Sequence, residues 1–291
     1  MMRKKPMLAY PVSDKPIDYS KPTFIQPKLD GVRCVIQAKL RRHLLHPALN
    51  HIEVKAYSRT GKEWKNIDHI LKELKPFFAK YPNIILDGEL YNHDLKNDFE
   101  KIISLVRKTK PTLEDRLESE EMVQFHCYDI IDEELDYDQR LNFIRNEVPV
   151  IYCIKDVETL QTDEASAHFI HTQNLERGYE GSIVRLNTPY QCKRSHSLRK
   201  FKDFSDAEAY IVGYEAGKGK REGTLGKFLM QDEDGNKFGC PPGKGYTYKD
   251  MKDMLDNIHE YMGQTATFTY FERTKAGSYR HPLFKCIRNY E

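Results

Sequence analysis

Two short segments combine glycine with charged side chains at points where an apolar run ends, and each turn could bring a ligand close to the backbone. Residues 28–33 (KLDGVR) place Lys28 at a sharp turn, where glycine allows a ligand to approach the backbone closely. Asp87, Glu89 and Tyr91 follow a second apolar run and share one face if the segment is a strand. Each segment read alone is more typical of an ordinary surface turn.

Two later segments also place charged side chains on one face of a predicted strand. Glu180, Ser182 and Val184 fall on one side of a predicted strand, and an acid beside an apolar side chain suits a metal or ribose contact next to a base. Lys200 and Lys202 also point the same way, where like charges repel. Such a pair indicates either a phosphate clamp or a solvated edge strand.

The composition excludes several classes of protein. Hydrophobic residues make up 39% and charged residues 31% of the 291 positions, which is typical of a globular chain. No apolar run reaches the length of a membrane span or a signal peptide, so we expect a cytoplasmic protein that is neither secreted nor membrane-bound. The six cysteines are spread singly, which argues against disulfide or zinc frameworks.

The apolar periodicity predicts the elements that position these segments. A strand, a turn and a second strand fit residues 24–37, and further strands fit 84–86, 123–131, 182–186 and 198–204. Helical spacing fits residues 67–80, 96–108 and 158–176. After residue 206, short strands alternate with glycine turns around one helix at 248–262, which indicates a small barrel such as an OB fold.

The order of the motifs is more specific than any one of them. Lys28-x-Asp30-Gly31-x-Arg33, residues 58–61 (SRTG), 87–89 (DGE), Tyr128-Asp129, 180–185 (EGSIVR) and Lys200-x-Lys202 follow one another along the chain. In this series the sequence resembles the ATP-dependent DNA ligases of small viral, phage and bacterial type, within the covalent nucleotidyltransferases. Residues 197–209, 219–229 and 271–288 extend the resemblance.

The resemblance implies an α+β fold: a nucleotidyltransferase domain of antiparallel sheets with flanking helices at 1–204, then an OB-fold β-barrel at 205–291. It also implies that Lys28 carries AMP from ATP and passes it to the 5′-phosphate of a nick. Because a free lysine has a pKa of about 10.4, such a site must favour the neutral amine or orient its attack. The residues that the resemblance assigns to ATP are Gln26, Arg33, Glu89, Tyr128 (adenine stacking), Val184 (apolar wall), Lys200 and Lys202.

The resemblance also implies partners and a metal. Mg²⁺ (or Mn²⁺) is expected at Glu180 and Asp30, since hard oxygen ligands suit it. Nicked double-stranded DNA is the expected substrate of a monomer that serves repair, replication or recombination. The contacts expected with DNA are Arg59, Lys218, Lys220, Arg221 and Lys227, and those expected with the pyrophosphate of ATP are Arg273 and Lys275. A basic stretch at 41–50 is a further candidate for gripping DNA.

One departure from the family keeps alternatives open. Many relatives have glutamate two residues before the nucleophile, where this sequence has Gln26. A GTP-dependent mRNA capping guanylyltransferase and an RNA ligase share the lysine motif, and a nucleic-acid-binding protein without catalysis is a further possibility. Residues 180–185 and 197–202 (SLRKFK) favour the DNA ligase among these.

Overall fold

The computed structural model describes residues 4–41, 51–96, 98–201, 205–243, 245–270, 273 and 277–288. The predicted basic stretch at 41–50, apart from the backbone of residue 41, lies outside the described residues, and so do Lys202 and Lys275. The chain divides into two compact units, residues 1–202 and 203–291. Within the described residues, no helix is long and apolar enough to cross a membrane.

The first unit contains two five-stranded sheets and flanking helices. Its strands are β1 (Leu8–Pro11), β2 (Thr23–Pro27), β3 (Val32–Arg41), β4 (His51–Tyr57), β5 (Ile85–Tyr91), β6 (Gln124–Ile130), β7 (Ile154–Asp156), β8 (Leu160–Gln161), β9 (Ser182–Leu186) and β10 (Arg194–Phe201). Its helices are α1 (Asp68–Glu73), α2 (Lys75–Lys80), α3 (Phe99–Val106), α4 (Leu113–Met122), α5 (Tyr137–Glu147) and α6 (Glu164–Glu176).

The two sheets of this unit share the strand–turn–strand segment that carries Lys28. One sheet has the order β1-β10-β9-β2-β8 and the other β4-β3-β5-β6-β7, so β2 lies inside the first and β3 inside the second. Most neighbouring strands are antiparallel, whereas β1 pairs with β10 and β6 with β7 in parallel. The turn between β2 and β3 therefore joins the two sheets, and Lys28 lies at this connection.

The largest apolar core covers one face of the second sheet. It joins β3–β6 to α1–α3 through side chains such as Ile36, Phe78, Leu86 and Phe125. The mixed α+β architecture expected from the sequence is confirmed. The helix predicted over 67–80 is two helices, because Pro76 in the first turn of α2 has no N–H to continue the ladder of α1.

The second unit is a five-stranded antiparallel sheet with one α-helix among its described residues. Its elements are β11 (Ser205–Ala216), β12 (Leu225–Gln231), β13 (Lys237–Cys240), α7 (Tyr248–Asp256), β14 (Thr265–Tyr270) and β15 (Leu283–Ile287). The strands follow the order β13-β12-β11-β14-β15. They contribute to a separate hydrophobic core that includes Phe228, Phe268 and Phe284. This unit therefore has a hydrophobic core of its own.

Candidate active site

Lys28 is held between two strands by main-chain bonds that continue the β2–β9 ladder. The Lys28 N–H donates to the Gly181 carbonyl at 2.9 Å, and the Glu180 N–H donates to the Lys28 carbonyl at 3.1 Å. The Lys28 ammonium forms an ion pair with the Glu180 carboxylate. The backbone thus fixes the position of the lysine, and the carboxylate fixes the direction of its amine.

A cavity of about 220 Å³ opens in front of this amine. Seven residues predicted from the sequence line it together: Gln26, Lys28, Arg33, Arg59, Glu89, Tyr128 and Lys200. A larger cavity of about 670 Å³ lies among β4, α1 and α4 and contains none of the predicted site residues. The smaller cavity is therefore the candidate site.

Gly31 brings the loop after Lys28 close to β5. A Cβ atom at this position would lie 2.5 Å from the Leu90 carbonyl oxygen and 2.7 Å from Glu89 Cγ. Any larger residue would displace backbone as well as the Glu89 side chain. Glycine at position 31 is thus required by the approach of the loop to the strand that carries Glu89.

Glu89 and Tyr128 form a polar pair on one wall of the cavity. The Tyr128 hydroxyl donates to Glu89 Oε2 at 3.1 Å. Burial raises the pKa of Glu89 to about 7, although Arg33 and Lys28 favour its ionised form. A carboxyl group with this pKa changes its protonation state near neutral pH, and either state can bond a ligand hydroxyl.

Arg33 forms part of the wall while its guanidinium is bonded to other protein groups. It binds both carboxylate oxygens of Asp87, with its Nε 2.6 Å from Oδ1, and donates to the Met7 carbonyl at 3.2 Å. Asp87 also accepts from the Tyr190 hydroxyl at 2.6 Å. The guanidinium carbon lies 5.2 Å from the Tyr128 ring centroid. Arg33 therefore connects Asp87, the Met7 carbonyl and the Tyr128 ring, and it also contributes positive charge to the cavity.

A second buried network reaches the cavity through Arg185. Asp129 is fully buried and accepts from Arg140 Nε at 2.7 Å and from Arg185 Nη1 at 2.7 Å. Arg185 Nε then donates to the side-chain carbonyl of Gln26 at 2.5 Å. Arg185, like Arg33, has its guanidinium carbon 5.2 Å from the Tyr128 ring centroid. Arg185 was not among the residues predicted for the site, although it ends the motif at 180–185.

The placement of Val184 corrects one expectation. Val184 is fully buried with Ile25 and Ala167 and does not line the cavity, whereas its neighbour Ile183 does. The alternation of side chains counted from Glu180 does not continue into β9, because Gly181 has a φ of +144° and breaks the extended backbone there. The faces of β9 must therefore be counted from Ser182 onward. Ile183 therefore takes the place expected of Val184 among the apolar residues of the cavity.

The expected metal ligands are only partly assembled. Glu180 contacts Lys28, whereas Asp30 is half-buried and does not line the cavity. Among the described residues, no group of three His, Cys, Asp or Glu side chains could hold a metal ion. One carboxylate beside the cavity still suits Mg²⁺, which commonly takes one or two protein carboxylates and completes its shell with phosphate and water.

In the second unit the predicted contacts differ in their surroundings. Lys218, Lys220 and Arg221 are exposed on and beside a short 3₁₀ turn. Lys227 forms an ion pair of 3.0 Å with Glu215. Arg273 lies 3.0 Å from Asp234 and 3.4 Å from Asp232, so its charge is balanced by carboxylates within this unit.

Sequence models of two protein domains match the chain. The model described as the ATP dependent DNA ligase domain matches residues 6–202, and the model described as the DNA ligase OB-like domain matches residues 216–288. The first match covers more than half of the chain and contains every residue of the cavity.

Individual relatives agree with these matches. A DNA ligase of African swine fever virus is 35% identical over 256 residues, which cover 78% of this chain and 58% of the relative. A DNA ligase of Enterobacteria phage T6 is 25% identical over 295 residues, which cover 84% of this chain and 58% of the relative. The chain thus spans less than three fifths of the length of these curated relatives.

Solved structures share the fold. A structure from a study of Lig E DNA ligases superimposes with a TM-score of 0.76 at 24% identity, and the match covers 99% of this chain and 100% of the other. The likeness at this identity concerns the fold, and it includes both units of the chain.

Proposed function

The chain belongs to the ATP-dependent DNA ligase family, and from this premise we propose that it seals nicks in duplex DNA through a lysyl-AMP intermediate on Lys28. The observation that carries the proposal is the position of the Lys28 amine. It faces a cavity lined by six further residues of the predicted set, and it is paired with the Glu180 carboxylate. A nucleophile that lines a cavity of about 220 Å³ and is held by an acidic partner suits covalent nucleotide transfer.

The first step joins Lys28 to the nucleotide. The Lys28 nitrogen attacks the α-phosphorus of ATP, a P–N bond forms, and the bond to the pyrophosphate oxygen breaks. The amine must give up protons to react, and Glu180 is the acceptor that contacts it. Lys200, on the same cavity, is placed to stabilise the charge that develops on the phosphate oxygens.

The next two steps use the nick. AMP passes from Lys28 to the 5′-phosphate of the nick, and attack by the 3′-hydroxyl releases AMP as the phosphodiester bond forms. Arg59 is exposed at the same cavity and would bind the 5′-phosphate. The exposed Lys218, Lys220 and Arg221 would contact the DNA backbone, with Lys227 contributing less because Glu215 already pairs with it.

The remaining cavity residues would bind the adenosine. Tyr128 would stack on the adenine, Ile183 would provide the apolar wall, and Glu89 would accept from ribose hydroxyls. Lys202 is proposed as a second phosphate contact. Arg273 and Lys275 are proposed for the pyrophosphate of ATP, and for Arg273 this contact competes with Asp232 and Asp234.

A divalent cation fits the donor set, and Glu180 is the residue that would hold Mg²⁺, with Asp30 as a second candidate. When bound, Mg²⁺ (or Mn²⁺) would polarise the phosphate oxygens and neutralise their charge. We further propose that the protein acts as a monomer on nicked DNA and is cytoplasmic.

The test is transfer of label from nucleotide to protein. The protein is incubated with magnesium and α-labelled ATP or GTP, denatured, and separated from free nucleotide. Acid-labile AMP label that disappears in Lys28→Ala and persists in the exposed-lysine control Lys110→Ala supports the proposal. GMP label would instead indicate a capping guanylyltransferase.

Sealing assays separate the remaining alternatives. A ligase closes a nicked DNA duplex with ATP, whereas an RNA ligase requires RNA strands. A protein that binds nicked DNA but takes no label from either nucleotide would be a nucleic-acid-binding module, and the proposed function would then be wrong.

A further inference from the structure

Gln26 occupies the position where many relatives have glutamate, and its side-chain amide is bonded at both ends. Gln26 is 2% exposed and lines the candidate cavity. Its carbonyl oxygen accepts from Arg185 Nε at 2.5 Å. Its amide nitrogen donates to Thr159 Oγ1 at 3.1 Å. One lone pair and one N–H of the amide are left for a ligand.

Arg185 and Thr159 determine which end of the Gln26 amide carries the oxygen and which carries the nitrogen. A guanidinium can only donate, so Arg185 must face the carbonyl oxygen of Gln26. The Thr159 hydroxyl gives its proton to the Val157 carbonyl at 2.8 Å and therefore presents only lone pairs to the amide nitrogen. Rotating the amide by 180° would place donor against donor at Arg185 and would force the Thr159 hydroxyl to leave Val157.

The partners are themselves anchored. Arg185 is bonded to the buried Asp129 at 2.7 Å, and Asp129 is also bonded to Arg140. Thr159 is 4% exposed, and its carbonyl accepts from Arg145 Nη2 at 2.8 Å. The polarity of the Gln26 amide is therefore set by the core of the unit and does not depend on the ligand.

A fixed polarity matters because a freely rotating glutamine cannot distinguish two kinds of purine. Adenine offers a donor at its 6-amino group and an acceptor at N1. Hypoxanthine offers an acceptor at O6 and a donor at N1. An amide that can rotate by 180° matches the donor and acceptor pattern of either base, whereas an amide held in one orientation matches only one of them.

We propose that Thr159 and Arg185 act as positioning residues that fix the Gln26 amide and thereby make the site select 6-aminopurine over 6-oxopurine nucleotides. The inference rests on the proposed use of ATP by Lys28. The discriminating group would be Gln26, through its remaining carbonyl lone pair and N–H. Thr159 would act only through Gln26.

The test compares ATP with ITP, which differs from ATP at the purine 6-position and in the proton at N1. We expect the wild type to form lysyl-AMP with a kcat/KM about 10²-fold or more above that for lysyl-IMP, because a wrong base leaves buried polar groups unmatched. Thr159→Val should reduce this preference about tenfold, since the variant lacks one hydrogen bond that opposes rotation. Thr159→Ser keeps the hydroxyl and should retain the wild-type preference.

A second variant removes the amide. Gln26→Leu should bring the ATP-to-ITP ratio to within a few-fold of one, because neither base then meets a matching group. The ratio is the informative readout, because a general loss of structure would lower both rates together.

Several results would overturn the inference. These are a wild type that uses ATP and ITP equally, a Thr159→Val variant with the wild-type ratio, or a Gln26→Leu variant that keeps the preference. Complete lack of label on Lys28 from any nucleotide would overturn the proposed function itself. Normal AMP labelling with a wild-type ratio in Thr159→Val alone would overturn only the role of Thr159 as a positioning residue.

Discussion

The cavity of the first unit and the short basic turn at 218–221 in the second unit use their charged side chains in opposite ways. Around the cavity of the first unit, Asp129, Arg140 and Arg185 are 4% exposed or less and bonded to one another. In the second unit, the basic residues 218, 220 and 221 are exposed on one short turn. Both regions contain several basic side chains, but those around the cavity are bonded to buried partners, whereas those on the turn face solvent.

This difference separates charges that act through a fixed geometry from charges that act only through general electrostatic attraction. A buried ion costs several kcal/mol to desolvate, so it is stable only where its partners are well placed, and removing one partner is strongly destabilising. An exposed ion interacts weakly and is screened by salt. The first region should therefore respond to substitution in large, specific steps, and the second in small, salt-dependent ones.

The largest expected effect is on stability, from Asp129→Asn. This change leaves two buried arginines without their carboxylate, so we expect the free energy of unfolding to fall by about 3–5 kcal/mol. Urea unfolding measures it. The control is Glu147→Gln, which breaks an exposed ion pair with Lys80 and should leave the urea midpoint almost unchanged. Similar small shifts in both variants would contradict the contrast between the regions.

Lys200→Ala tests the cavity itself. Loss of one charge-stabilising donor should slow the formation of lysyl-AMP by on the order of 10²–10³. The measurement is single-turnover labelling with ATP and magnesium. Lys193→Ala, an exposed lysine just before the same strand, should react like the wild type. Near-normal labelling of Lys200→Ala would remove that residue from the site.

Glu89 gives a pH-dependent effect of intermediate size. Burial raises the pKa of Glu89 to about 7, so the folded state binds this proton more tightly than the unfolded state. The free energy of unfolding should therefore decrease as pH rises from about 5 to about 7, by roughly 1 kcal/mol per pH unit. The difference between wild type and Glu89→Gln isolates this contribution. A difference that stays constant or increases over this range would show that Glu89 titrates elsewhere.

The same contrast explains what could be predicted from the sequence. The motifs at 28–33 and 87–89 were predictable because each ends an apolar strand, and the order of the motifs is specific. Helices α4 and α5 were missed because their apolar periodicity is weak. Leu113 and Leu117 of α4 are exposed, and capping boxes at Thr112 and Asp136 are the stronger signals for these two helices.

The details of the cavity depend on long-range pairing that no local pattern contains. Val184 was assigned to the wrong face because Gly181 interrupts the alternation. Thr159 gave no sequence signal, since it lies 133 positions from Gln26 and meets it only through the fold. Residues that bind a ligand through a motif are thus easier to predict than residues that orient them.

The smallest expected effects are in the second unit, and they concern affinity for nicked DNA. Each DNA phosphate that the protein no longer neutralises should reduce the slope of log K against log salt by about 0.9, so Lys220→Ala should bind more weakly at low salt and approach the wild type at high salt. Lys227→Ala should change the slope less, because Glu215 pairs with Lys227 at 3.0 Å. Titrations at several salt concentrations compare the two. A decrease in affinity that is independent of salt would mean that Lys220 acts through a fixed geometry, as the buried charges of the first unit do.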